Sequence, residues 1–161
     1  LCELNNILII EDSACAVKSF YKGKACGTLG DMGLWSFDAM KTLSTVDGGM
    51  IYLKDRELLK KAKTLLYLGL PLKSKSGIDS SSEGNNKWWE FDIENYGRRA
   101  IMSNVTASIG NVQLKKLDGY LSRRKEIFNF YIEKLNNIPE LTIVDNSLYN
   151  LMECVFKPTI V

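Results

Sequence analysis

The chain has 161 residues, 45% apolar and 25% charged, with 12 Gly and 3 Pro; this leaves room for one domain, or one and the start of a second, and excludes repeat arrays and low-complexity segments. Its 21 Lys and Arg stand against 19 Asp and Glu for a net charge of +2, interleaved in sign, so neither nucleic acid nor a membrane surface is an expected partner. Histidine is absent, which excludes Ser-His and Cys-His nucleophiles and imidazole-based zinc sites and leaves acid–base chemistry to Lys, carboxylates, Tyr or Cys.

Residues 1–5 read as the tail of a helix stopped by Asn5 and Asn6, and without an initiating Met a longer reading frame is expected upstream. Residues 7–10 (I-L-I-I) then form a short apolar run ending in Glu11 and Asp12, the pattern of a buried parallel strand with acidic groups at its carboxyl end. Such strand ends are where α/β proteins place ligands. Gly23, Gly27, Gly30 and Gly33 punctuate a turn-rich stretch, after which residues 34–37 and 50–53 read as two further strands.

Asp55 can cap a helix over residues 56–68, with Leu58, Leu59, Ala62, Leu65 and Leu66 on one face. Residues 69–90, dominated by Lys, Ser, Gly and Asn, read as a long loop with Trp88 and Trp89 near its far end. A helical period runs from Ser103 through Val105, Ile109, Val112 and Leu117; Asp118 and Gly119 are expected to break it before a second helix through Leu121, Ile127, Phe130 and Leu135. Beyond Pro139, residues 141–144 and 154–156 read as strands of a second layer. Short apolar runs give no membrane span or signal peptide, and Cys2, Cys15, Cys26 and Cys154 contain no C-x-x-C pair, so a cytoplasmic protein with reduced thiols is expected.

The chemistry-bearing stretch is residues 36–41 (S-F-D-A-M-K), followed by residues 47–49 (D-G-G). A lysine in a strand-to-turn segment, with a hydroxyl before it and paired glycines after it, suits a reactive amine beside a phosphate cradle. Alone, such a lysine is more often a solvated surface charge. Asp12 shifts the balance, because pyridoxal phosphate needs both a lysine to bond its aldehyde and a carboxylate to keep its ring nitrogen protonated.

Through residues 9–14 (I-I-E-D-S-A), 27–31 (G-T-L-G-D), 36–41, 47–49, 102–114 (M-S-N-V-T-A-S-I-G-N-V-Q-L) and 121–125 (L-S-R-R-K), the chain resembles the DegT/DnrJ/StrS-type sugar aminotransferases, in order and over most of its length. The resemblance implies an α/β fold of the fold-type I pyridoxal phosphate enzymes, built on a mixed, mostly parallel sheet. Residues 1–117 would be the second half of the large, cofactor-binding domain and residues 118–161 the beginning of the small domain. Lys41 would bond the cofactor, Asp12 would pair with its ring nitrogen and Ser36 would donate to its phosphate. The implied reaction moves an amino group, with glutamate as the expected donor, onto a nucleotide-linked keto sugar in amino-sugar, cell-surface polysaccharide or antibiotic biosynthesis. A homodimer with shared active sites is implied as well, with the loop over residues 73–89 near the partner's cofactor.

Three departures from the family pattern stand out. Cys15 occupies the place, near the cofactor ring oxygen, where relatives commonly carry His or Gln; a thiol is a weaker hydrogen-bonding group. Arg99 follows Gly97 where an Asn is usual, and its guanidinium could serve the partner's phosphate, while Ile101 replaces an Arg. Relatives are also longer at both ends, so the chain alone is expected to be an inactive fragment lacking the phosphate-cradling helix and the ring-stacking aromatic. Two other readings compete. Residues 7–12 imitate the first strand of a receiver domain with Asp47 as phosphoacceptor, although Lys157 lies too far along the chain for that fold. A non-catalytic regulatory relative of the same fold also remains open, whereas a sugar dehydratase would have replaced Lys41.

Overall fold

The computed structural model describes residues 1–70, 93 and 95–141. Contacts divide the chain into two compact units, one made of Leu1–Lys54 with the described part of Met102–Val161, the other of Asp55–Ile101.

The first unit is centred on a three-stranded mixed sheet. Strand β1 (Ile10–Asp12) runs parallel to β4 (Met32–Ser36), with Ile10 opposite Met32 and Asp12 opposite Leu34. Strand β5 (Gly49–Leu53) returns antiparallel to β4, with Met32 opposite Leu53 and Ser36 opposite Gly49. Among the described residues the sheet thus has one parallel and one antiparallel pairing: it is mixed, as expected from the resemblance, but not mostly parallel. Both later strands lie within two residues of their expected positions. The first is displaced toward Asp12, because at Ile9 regular pairing gives way to a different closure. There the backbone N–H donates to the Asp31 carboxylate at 2.9 Å, and the carbonyl accepts from the N–H groups of Asp31 and Met32. Ile7, Leu8, Ile9 and Ile10 are all exposed, so the burial expected of this apolar run is not found among the described residues.

Ahead of β1, a single 3-10 turn over Glu3–Asn5 ends at Asn6 with φ 52°, the stop expected there. Between β1 and β4 lies a hairpin that the glycine punctuation did not reveal. Strand β2 (Phe20–Tyr21) pairs antiparallel with β3 (Lys24–Ala25). Lys22 and Gly23, at φ 49° and 76°, both adopt the left-handed conformation that suits a two-residue turn to strand twist. The following loop needs glycine for closeness: a Cβ on Gly33 would lie 1.9 Å from the Gly27 carbonyl oxygen.

The second helix of the chain, α2, is continuous over Asn104–Leu135, so Asp118 and Gly119 do not break it. An interior glycine costs a helix only about 1 kcal/mol relative to alanine, which a helix this long absorbs. Its start is as expected, with the Ser103 hydroxyl accepting from the Thr106 N–H at 3.2 Å. The inward stripe is not. Val105, Ile109 and Val112 are exposed, while Leu117 is fully buried. Gly110 instead faces the loop ahead of β5: a Cβ there would lie 2.7 Å from the Thr45 side chain, so the helix approaches closely at this point. Lys18, in the turn before β2, forms an ion pair with Asp118 of this helix.

In the second unit, α1 spans Arg56–Leu66 and is capped as expected: the Asp55 carboxylate accepts from the N–H groups of Glu57 and Leu58 at 2.7 and 3.1 Å. It ends two residues sooner than its apolar period suggests, Leu68 having φ 63° and Gly69 φ 76°. The returning segment docks on this end, with Arg98 N–H donating to the Leu65 carbonyl at 2.8 Å and Arg99 bridging to Tyr67. The loop expected over residues 69–90 and the two strands expected beyond Pro139 fall almost wholly outside the described residues. Among the described residues, no helix is long and apolar enough to cross a membrane.

Candidate active site

Because β1 and β4 are parallel neighbours, their carboxyl ends lie on the same edge of the sheet, and this edge carries Asp12 and Ser36. Asp12 is exposed, and its Oδ1 accepts from the Ala14 N–H at 3.1 Å, which bends the chain away after the strand. The turn so formed carries Cys15. Ser36 ends β4, and its Oγ accepts from the Asp38 N–H at 3.3 Å.

From Ser36 the chain enters a loop that returns to β5, and its backbone closes on itself. Phe37 N–H donates to the Gly48 carbonyl at 2.9 Å, and the Phe37 carbonyl accepts from Thr45 N–H at 2.8 Å. Within it, Asp38 sets a tight turn: its carboxylate accepts from Met40 N–H at 2.9 Å and its carbonyl from Lys41 N–H at 3.0 Å. Lys41 leaves this turn half-buried, and its Nζ reaches the Cys15 Sγ at 3.1 Å. The structure therefore places the Lys41 amine against the turn that follows Asp12, although the two residues are 29 positions apart. The hydroxyl of Thr42, next along the chain, is buried without a hydrogen-bond partner.

Of the residues singled out from sequence, Lys41 and Cys15 touch, while Asp12 and Ser36 share their sheet edge. Arg99 belongs to the other compact unit, exposed, its backbone held at the end of α1. A cavity of about 460 Å³ in the first unit is lined by Trp35, Phe37, Met50, Met102 and Leu114 among others, and by none of Asp12, Ser36 or Lys41.

One important residue escaped the sequence reading. Glu11, beside Asp12, accepts hydrogen bonds from the backbone N–H groups of Gly27, Leu29 and Gly30 at 2.7, 2.5 and 2.6 Å. Burial pushes its carboxyl up, but the three backbone donors outweigh burial and hold it below the ordinary carboxylate value. The signal available was a carboxylate followed by a glycine-spaced loop whose N–H groups need acceptors.

The donor set suits pyridoxal phosphate: a carboxylate and a hydroxyl at one sheet edge, and an amine from the loop after β4 that reaches the turn following that carboxylate. A family model described as the DegT/DnrJ/EryC1/StrS aminotransferase family matches residues 1–155, and the chain belongs to that family. It is 47% identical over 138 residues to a dTDP-4-dehydro-2,3,6-trideoxy-D-glucose 4-aminotransferase of Saccharopolyspora spinosa, covering 86% of this chain and 35% of that protein. The crystal structure of the aminotransferase TlmJ from Streptoalloteichus hindustanus superposes with a TM-score of 0.76 at 44% identity, over 88% of this chain and 35% of that one. The Streptococcus pneumoniae protein Spr1654, solved in a PLP form, superposes with a TM-score of 0.69 at 28% identity, over 86% of this chain and 33% of its own. The chain thus spans about a third of the length of these relatives. Its fold is that of part of a fold-type I aminotransferase. The receiver reading is overturned by this membership and by the antiparallel β4–β5 pair.

Proposed function

We propose that this chain supplies the cofactor-bonding half-site of a pyridoxal phosphate-dependent aminotransferase that moves an amino group from glutamate to a nucleotide-linked keto sugar. The observation that carries the reading is the contact of Lys41 Nζ with the turn following Asp12, at the edge where Ser36 ends the adjacent strand. Lys41 would bond the cofactor through Nζ and, once freed, take and return the proton of the substrate carbon that bears nitrogen. Asp12 would keep the ring nitrogen protonated, Ser36 would donate to the phosphate, and Cys15 would lie beside the ring. Bound pyridoxal phosphate supplies the electron-withdrawing ring that makes that carbon acidic.

The named activity of the Saccharopolyspora relative supports a dTDP-linked or similar nucleotide sugar as substrate, and so a place in deoxysugar, polysaccharide or antibiotic biosynthesis in the cytoplasm. Residues 1–117 would then belong to the large domain and residues 118–161 to the small one, joined through α2, which crosses that boundary unbroken. In a homodimer Arg99 would serve the partner's phosphate, and this chain alone, at about a third of its relatives' length, would be inactive.

Borohydride reduction of the full-length protein loaded with pyridoxal phosphate tests the reading. Mass spectrometry is expected to find the cofactor fixed on Lys41, and glutamate is expected to support amination of a nucleotide-linked keto sugar. Fixation on Lys24 or Lys63 would refute the assignment. Fixation on Lys41 without amino transfer would mark a non-catalytic relative.

A further inference from the structure

The pair that the structure brings together is a thiol and an amine. Cys15 is exposed and in the free form, and its sulfur lies 3.1 Å from the nitrogen of Lys41 across 26 residues of chain. Two reactive groups at this distance are already within reach of a covalent bond, given a modest approach along the existing contact. We propose that Cys15 and Lys41 form a reversible, peroxide-driven sulfur–nitrogen bridge that takes the amine out of use. The proposal concerns the same lysine as the proposed function and gains its regulatory meaning from that reading, but the bridge itself is a property of the pair.

The chemistry balances in two steps. The Cys15 thiol attacks hydrogen peroxide, the O–O bond breaks, sulfur is oxidised by two electrons to the sulfenic acid, and one water leaves. The unprotonated Lys41 nitrogen then attacks that sulfur. An S–N bond forms, the S–O bond breaks, and the hydroxyl departs as a second water with a proton from the amine. The product lacks two hydrogens relative to the separate side chains. A low-molecular-weight thiol reverses it by attacking sulfur, returning the amine to Lys41 and leaving a mixed disulfide that a second thiol clears.

A serine at position 15 could not be oxidised in this way. The bridge and Lys41's bond to a cofactor aldehyde also exclude one another, because both use the same nitrogen. Peroxide should therefore act fastest on protein free of cofactor.

Full-length protein stripped of cofactor is treated with hydrogen peroxide, alkylated and digested with trypsin without reduction. The expected product joins the peptide ending at Lys18 to residues 25–54, uncut after Lys41, two hydrogens short of the sum, and absent after dithiothreitol. Cys26 lies in the second peptide, so cutting after Lys41 in the joined product would reveal a disulfide between the two cysteines and overturn the proposal. Sulfenic, sulfinic or sulfonic acid on Cys15 with Lys41 unmodified would overturn it equally.

In a second arm, pyridoxal phosphate is added after peroxide and the borohydride-fixed cofactor on Lys41 is counted. A bridge that forms predicts a several-fold loss of fixation, restored by dithiothreitol, and no such loss in Cys15→Ser protein. Fixation on another lysine while the bridge still forms would retire the functional assignment of Lys41 and leave the bridge standing.

Discussion

The loop that enters β4 and the loop that leaves it are both closed by hydrogen bonds, yet they are closed in opposite ways. Entering, residues 27–30 give three backbone N–H groups to one carboxylate, Glu11, and side chains are excluded at Gly33 by the Gly27 carbonyl and at Gly27 by the Trp35 ring. Leaving, residues 37–48 are tied through backbone at Phe37, Thr45 and Gly48, and the Asp38, Ser44 and Thr45 side chains bond backbone groups of the same loop, while Lys41 and Thr42 are not tied in this way. There the Lys41 amine meets a thiol, a weak acceptor, the Thr42 hydroxyl has no partner, and Val46 holds φ at 75°. The first loop spends its polar groups on architecture. The second spends Asp38, Ser44 and Thr45 in the same way but leaves the Lys41 amine on a weak acceptor and the Thr42 hydroxyl without a partner.

The contrast also separates two adjacent carboxylates by role. Glu11 has its oxygens filled by backbone donors, and Asp12 offers one oxygen to its own turn while remaining exposed to the sheet edge. A reader of the sequence sees only E-D.

The sharpest way to break the contrast is to remove the amine. On the proposed function, Lys41→Ala in the full-length protein is expected to lower kcat by at least about 10⁴-fold, the upper range for a positioned acid–base group, and to abolish borohydride fixation. Because the amine is engaged only with a thiol, the urea midpoint should stay close to that of the parent. A variant that loses stability in step with activity would show that Lys41 belongs to the frame.

Glu11→Gln tests the other loop and should do the reverse. A neutral amide replaces a charged acceptor of three N–H groups, and a loss of about 2–3 kcal/mol is expected, the worth of charge-assisted bonds. The carboxyl is held below its ordinary value in the folded state, so its contribution is fully present above about pH 4.5 and is lost as pH falls through the folded value. The parent protein should show that acid-side loss of urea midpoint, and Glu11→Gln should flatten it. Hydrogen exchange at residues 27–30 should quicken in the variant; unchanged exchange there would remove Glu11 from its structural role.

How much of this could be read from sequence follows the same division. The strands β4 and β5, the cap at Asp55 and the start at Ser103 are local signals, in which a few adjacent residues decide the outcome. The place of β1 is not local, since it depends on where Asp31, 22 residues on, captures the Ile9 N–H. The inward stripe of α2 was misread because apolar period assumes that large side chains face in, whereas the close approach at Thr45 demands Gly110. The candidate residues were singled out by their chemistry and a family resemblance, and the contact of Lys41 with Cys15 was not foreseen. Nothing in a linear spacing of 26 residues specifies that two side chains meet.

Val46 gives the smallest expected effect and probes whether the second loop stores strain. A β-branched residue at φ 75° is held where L-residues are unfavourable by about 1–2 kcal/mol, and Val46 is 61% exposed, so burial offsets little of that. Its N–H is held by the Ser44 hydroxyl at 3.1 Å, which fixes the conformation from outside the side chain. Glycine adopts this φ without strain but adds about 0.5–1 kcal/mol of chain entropy to the unfolded state. Val46→Gly should therefore stabilise the full-length protein by a net of about 0.5–1 kcal/mol, read as a higher urea midpoint. If the strain serves to hold Lys41 in place, the same variant should raise KM for the amino donor or lower kcat several-fold while the midpoint rises. A lower midpoint would mean that the valine side chain, exposed as it is, contributes more through contact than its backbone costs, and the loop would then be held by packing in the way its neighbour is held by Glu11.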